Sequence, residues 1–195
     1  MHVPPKWKKI GIMVCTVSSL VVGQAAGLEN ILSNPNFEKR GGGIYDWRSG
    51  GYVGGNPDTG KLYENTVAIV HEGEKRFLRM SGAAEFPDFA FSPFDRLPLL
   101  PEWKSLTPSA VIRMSGFKKV ETWGGFNMWL KFYDADGKEI PGQNNAFVRC
   151  TQDQDWLPMS QTFPIPAGAY EVSFHLYWLS AGGVADVMNL QLKPL

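Results

Sequence analysis

Residues Ala169–Leu179 read AYEVSFHLYWL. Tyr170, Val172, Phe174, Leu176 and Trp178 alternate there with Glu171, Ser173, His175 and Tyr177. A strand turns successive side chains to opposite faces, so this pattern predicts a β-strand with one face in the core. Phe126–Tyr133 (FNMWLKFY) repeats it: Phe126, Met128, Leu130 and Phe132 fall on one face, Asn127, Trp129, Lys131 and Tyr133 on the other. Ala110–Phe117 and Val184–Leu192 alternate in the same way. No stretch sustains a helical period. Strict alternation belongs to antiparallel sheets with one covered face.

Turn signals separate further extended runs. Thr66–His71 and Arg76–Ser81 flank Glu72-Gly73-Glu74, which predicts a hairpin. Asp134-Ala135-Asp136-Gly137 is read as a turn, and Asn145–Thr151 as another strand. Gly41–Gly60 holds eight glycines and reads as a loop interrupted by Tyr45, Trp47 and Tyr52. Phe86–Pro108 holds five prolines, which exclude helix or central strand throughout, with one extended piece at Phe89–Phe94. Eight to ten short strands with one apolar face each predict an all-β, two-sheet antiparallel sandwich.

The chain has 195 residues, 44% hydrophobic and 19% charged, enough for one sizeable core. Its 19 basic and 19 acidic residues give no basic field that would attract nucleic acid. The first residues read as a secretory signal. Lys6, Lys8 and Lys9 precede the apolar run Ile10–Val22, and small residues follow at Gly23, Ala25 and Ala26. The run is shorter than the roughly 20 residues a membrane span needs. Cleavage after Ala25 would leave a single domain, 26–195, with 16 basic and 19 acidic residues. Cys15 lies in the signal and Cys150 alone remains, so no internal disulfide can form. An exported bacterial protein is expected, either periplasmic, surface-bound or extracellular.

Several motifs resemble carbohydrate-binding modules of the cellulase-C type. They are LENILSNPNFE (Leu28–Glu38) with Trp47 after a Gly-rich loop, DADGKEI (Asp134–Ile140), Trp156, FPIPAGAYEVSFHLYW (Phe163–Trp178) and AGGVADVMNLQL (Ala181–Leu192). The resemblance implies a galactose-binding-like jelly roll, a buried Trp47 and a carbohydrate ligand. It also implies a structural calcium between the first and last strands, with Glu38 and Asp186 as the matching acids. The chain departs from the family at Ala185-Asp186, where members often carry two acids, and in its longer Pro-rich stretch.

Alternation places Asn127, Trp129, Lys131 and Tyr133 on an outward face, with Ser173, His175, Tyr177 and Arg113 read as joining them. Rings flanked by polar groups suit a sugar, whose apolar face stacks while its hydroxyls bond at the edge. Trp129, Tyr177, Asn127, Lys131, Arg113 and His175 are therefore the candidate binding residues, with Trp123 as a loop candidate. The competing reading is that a loop covers this face. Trp103, Tyr45 and Tyr52 are further loop aromatics, whereas Trp156 and Trp178 read as structural.

Catalytic motifs are missing: the sequence has no G-x-S-x-G, H-E-x-x-H or Walker loop. Glu121, Asp134, Asp153 and Asp155 fall at expected turns. A Cys150–His175 pair remains open, against a buried, inert cysteine. The expected function is non-catalytic binding of a poly- or oligosaccharide. The alternatives are a cell-surface module that binds protein and a small jelly-roll glycosidase or lyase.

Overall fold

The computed structural model describes residues 29–40, 43–44, 46–51, 66–82, 88–119, 124–141 and 147–195. The expected signal (1–25), Tyr45, Tyr52, Trp123 and Glu121 lie outside the described residues. The described chain is all-β. Its strands are β1 (Lys39–Arg40), β2 (Gly43–Ile44), β3 (Trp47–Gly51), β4 (Val67–Glu72), β5 (Lys75–Ser81), β6 (Asp88–Pro93) and β7 (Leu97–Pro98), followed by β8 (Ser105–Ser115), β9 (Gly125–Tyr133), β10 (Phe147–Cys150), β11 (Gln154–Ser160), β12 (Phe163–Pro164), β13 (Glu171–Leu179) and β14 (Val184–Pro194). Two antiparallel sheets pack as a jelly-roll sandwich. The first has the order β10-β9-β13-β6-β3, with β7 added to β13; the second has β11-β8-β14-β5-β4, with β12 added to β8.

The alternation read from the sequence is the alternation of burial in β8, in β9 and in β13 from Val172 onward, but Tyr170 is exposed. In β14 Ala185 and Val187 rather than Val184 and Met188 enter the core, because the register shifts between Met188 and Gln191. On the first sheet Phe126, Met128, Leu130 and Phe132 of β9 and Val172, Phe174, Leu176 and Trp178 of β13 are essentially fully buried. They meet Leu78, Met80, Ile112, Met114, Val187 and Leu192 of the second sheet in one core. The expected hairpin is β4–β5, closed by two residues with Gly73 at φ +60°.

The opening segment earns its residues locally. The Asn30 side chain donates to Leu190 O (3.0 Å) and accepts from Leu192 N (2.9 Å), tying the chain start to β14. Asn34 adopts φ +44° and bonds across its turn to the backbone N and O of Glu38. Trp47 Nε1 donates to Ser33 O and Asn34 O, both at 3.2 Å. Its ring stacks on Phe91 at 5.2 Å and meets Phe37 edge-on at 5.2 Å. Trp47 is buried, as the resemblance implies.

Trp47–Gly51 and Pro108 also differ from the sequence reading. Trp47–Gly51, read as loop, forms the edge strand β3, paired with β6 from Trp47↔Pro93 to Gly51↔Phe89. Pro108, read as part of a strand-breaking stretch, sits inside β8, between β14 and the β11/β12 side. The strand tolerates it because its neighbour is interrupted there: β11 ends opposite Ser109 and β12 begins opposite Leu106. The missing N–H of proline therefore falls beside a gap in the ladder.

Candidate functional site

The two sheets each turn one face outward, and the two faces are chemically different. On the first sheet, antiparallel pairing sets Phe147 opposite Trp129 and Trp129 opposite His175, forming one row across β10, β9 and β13. The next row sets Arg149 opposite Asn127 and Asn127 opposite Tyr177. On the other side of the Trp129 row, Lys131 faces Ser173 and Tyr133 faces Glu171. Arg48 faces Ser92 on the β3 side of the same surface.

These side chains form a connected polar and aromatic surface. Trp129 and Tyr177 meet edge-to-face with ring centroids 5.9 Å apart. The Lys131 ammonium lies 4.8 Å from the Trp129 ring centroid, close enough for a cation–π contact. Tyr133 Oη, Ser173 Oγ and His175 Nε2 form a chain of contacts at 3.3 and 2.8 Å. Arg149 donates from Nε to Asn127 Oδ1 (2.8 Å) and stacks over Phe147. His175 is pushed down to about 4, first by burial and then by the charges of Lys131 and Arg48, so its ring is neutral at neutral pH. Trp129 Nε1 is buried and has no hydrogen-bond partner among the described residues.

Five of the expected binding residues, Trp129, Tyr177, Asn127, Lys131 and His175, therefore share one face. Their exposure corrects the expectation that all of them meet a ligand. Tyr177 is only 5% exposed and forms a small outer cluster with Ala90 and Leu179, while Asn127 is 3% exposed. These two make the floor of the surface. Trp129, Lys131, Tyr133, Phe147, Arg149, Ser173 and His175 are partly exposed, and Arg48 is exposed. Arg149 and Arg48 were missed in the sequence because β10 is short and β3 lies in a glycine-rich run.

Arg113 does not belong to this face. It points outward as its parity requires, but from β8 of the second sheet. There it donates to Asp186 Oδ2 (2.6 and 2.9 Å) and forms two 2.9 Å bonds to Glu72. Arg79 donates to both oxygens of Asp186 at 2.7 and 2.9 Å. Asp186 lies within β14 rather than in a turn and is fully buried. Phe77 and Trp156 meet edge-to-face at 5.2 Å, and the Arg113 guanidinium packs over both rings. The Arg113 hydrogen bond holds the Glu72 carboxyl below its ordinary value. Glu72 and then Asp186 raise Arg113 further above the usual arginine value. Trp156 is thus part of a packed ion network, consistent with its structural reading.

Glu38, the other acid implied for calcium, is exposed, with its backbone held by Asn34. Both oxygens of Asp186 are already committed to arginines. Among the described residues no group of three or more His, Cys, Asp or Glu side chains is gathered for a metal. Asp134 is a turn residue: its Oδ1 accepts from Asp136 N (3.0 Å) and Lys138 N (2.9 Å). Asp153 accepts from Gly116 N and Phe117 N, and Asp155 from Trp156 N. Cys150 and His175 are not a pair. Cys150 faces the core, where burial pushes its thiol up, and His175 faces out. Trp103 packs against the core edge and lines a hollow of about 560 Å³ with Leu100, Ile165 and Tyr170.

No protein-family model matches the chain, and no curated protein matches it. Solved structures do. The enzymatically active domain of bacteriophage CBA120 tailspike protein 4 superposes with a TM-score of 0.57 at 13% identity, over 85% of this chain and 21% of that one. An arabinose-bound GH51 α-L-arabinofuranosidase gives 0.53 at 15% identity, over 88% of this chain and 27% of that one. The chain thus spans only about a quarter or less of either protein. A CBM22 xylan-binding domain from Paenibacillus barcinonensis Xyn10C gives 0.49 at 13% identity, over 86% of this chain and 96% of that one. At the identities of the first two the likeness is one of fold.

Proposed function

We propose that this chain is an exported, non-catalytic carbohydrate-binding module that holds a poly- or oligosaccharide on the outer face of the first sheet. The observation that carries this reading is the partly exposed Trp129 ring, braced by Tyr177 at 5.9 Å and surrounded by Lys131, Tyr133, Phe147, Arg149, Ser173 and His175. A ring among fixed donors and acceptors suits the two-sided chemistry of a sugar. The β-scaffold fixes those side chains before a ligand arrives, which lowers the entropic cost of binding. The resemblance of the sequence motifs to carbohydrate-binding modules supports the same reading. Asp134, Asp153 and Asp155 each bond backbone amides, which supports a non-catalytic role. Affinity electrophoresis of residues 26–195 through gels containing a panel of plant, bacterial and algal polysaccharides tests the proposal. Retardation by at least one polysaccharide is expected. Unretarded migration through the whole panel would refute it.

A further inference from the structure

The outer faces of the two sheets treat their cations differently. On the second sheet Arg79 and Arg113 are both paired with Asp186 and Glu72, so two positive charges meet two negative ones. On the first sheet Arg149 bonds the neutral amide of Asn127 and lies over Phe147, and Arg48 lies over Phe94. Neither has a carboxylate partner among the described residues. Lys131, whose side chain is 12% exposed, pairs with Glu139 at 3.5 Å, and the Glu139 side chain is 41% exposed. Among the residues whose side chains are described, the other acid of this face, Glu171, lies at its far end and is paired with Arg96. His175, between them, feels the charges of both Lys131 and Arg48.

Among the described residues, the region around Trp129 thus has an excess of positive charge, on a chain whose residues 26–195 carry more acids than bases. Building such an excess costs self-repulsion, which an anionic ligand would relieve. The arrangement is extended. Arg149 is one strand over from Asn127, and Lys131 lies four residues along the same strand, so their Cα atoms are about 14 Å apart by strand geometry. The row of Trp129 and His175 continues through Ser92 to Arg48, three strands from Trp129, which is again about 14 Å. One sugar ring cannot reach all three cations, but a chain of several can.

Resting on the carbohydrate-binding reading, we propose that the ligand is an anionic polysaccharide, one bearing carboxylate or sulfate groups, which stacks on Trp129 while Arg149, Lys131 and Arg48 pair with its charges. Arginine suits this task because its planar fork can bond a carboxylate or sulfate with two parallel N–H groups.

The test compares matched polymers. Affinity electrophoresis and titration calorimetry are run on residues 26–195 with polygalacturonate, alginate and chondroitin sulfate. The controls are carboxyl-reduced polygalacturonate, desulfated chondroitin with its carboxyls reduced, neutral galactan and neutral xylan. At least one anionic polymer is expected to bind at least tenfold more tightly than its neutralised counterpart. Arg149→Gln and Lys131→Gln should each weaken that binding about fivefold, and raising NaCl from 20 to 300 mM should weaken it further. Equal or tighter binding to a neutral polymer would overturn this inference and leave the carbohydrate-binding reading standing. Failure to bind every polymer would overturn both. Retention of all polyanions, including dextran sulfate, that Trp129→Ala leaves unchanged would show plain ion exchange and also overturn it.

Discussion

Replacing Asp186 by alanine removes a fully buried carboxylate that accepts from two arginines at 2.6–2.9 Å. The two guanidiniums do not suffer equally. Arg113 keeps its two 2.9 Å bonds to Glu72, whereas Arg79 is left with Glu72 at 3.5 Å. Breaking a buried pair by removing one partner typically costs about 3–5 kcal/mol, because the other charge stays desolvated. Here the arginine side chains are about a quarter exposed (28% and 23%), so water recovers part of that cost. The lower end, about 3 kcal/mol, is therefore expected. With an m-value of about 2 kcal/mol/M in urea, the midpoint should fall by about 1.5 M at unchanged slope. Urea unfolding followed by tryptophan fluorescence and circular dichroism reads this directly. Replacing the whole network, as Arg79→Met, Arg113→Met and Asp186→Leu together, should recover most of the loss, because no charge is then left unpaired. A midpoint shift under 0.3 M for Asp186→Ala, which is about 0.6 kcal/mol at that slope, would refute the claim that the buried ion pairs hold this face together.

Other outcomes follow from the same geometry. His175 is held neutral at about 4 in the fold, against an ordinary 6.5. A depressed folded value gives stability that is fully present above pH 6.5 and is lost as pH falls towards 4, by roughly 3 kcal/mol over that window. Urea midpoints measured from pH 7 to pH 4 should therefore fall less steeply for His175→Gln than for the natural chain; parallel curves would count against the burial of a neutral imidazole. Tyr177→Ala empties a buried site on the outer face and should cost about 3 kcal/mol in chemical denaturation. Trp129→Phe deletes a buried N–H that has no acceptor among the described residues, so its urea midpoint should be unchanged or slightly raised. Gly82→Ala would drive a methyl to 2.5 Å from Ser180 O and 2.6 Å from Trp178 Nε1, so its melting temperature should drop by several degrees.

Sequence periodicity carried the interior of the sandwich. β9 and β13 sit in the middle of their sheet, with one face wholly in the core, so Phe126–Phe132 and Val172–Trp178 alternate cleanly. β11 lies at a sheet edge and buries little, so Gln154–Ser160 shows no such rhythm, and β3, at an edge of the first sheet, is too short and glycine-rich to show one. Pairing was the missing information at Pro108, whose place beside a break in the neighbouring strand no local signal reveals.

The site was legible in the same partial way. Alternation says whether a side chain points in or out, but a sandwich has two outsides. Arg113 was outward by parity, whereas the phase read for Val184–Leu192 gave no sign that Asp186 is outward; only strand order shows that the two face each other on the second sheet. The burial of Tyr177 and Asn127 was hidden for a related reason. An outward face can carry its own packed layer, and here Ala90 and Leu179 build one around Tyr177. Trp129, Lys131 and His175 were legible because they stand next to one another across two strongly periodic strands.

The central claim is that the outer face of the first sheet, at Trp129, is where a polysaccharide is held. It is tested most directly by calorimetric titration of the natural chain and Trp129→Ala with the polysaccharide that retards the natural chain most. Both proteins are first checked for the same strand signal in circular dichroism. The account predicts at least a tenfold loss of affinity in a variant that remains folded. Equal affinities for the two folded proteins would contradict it.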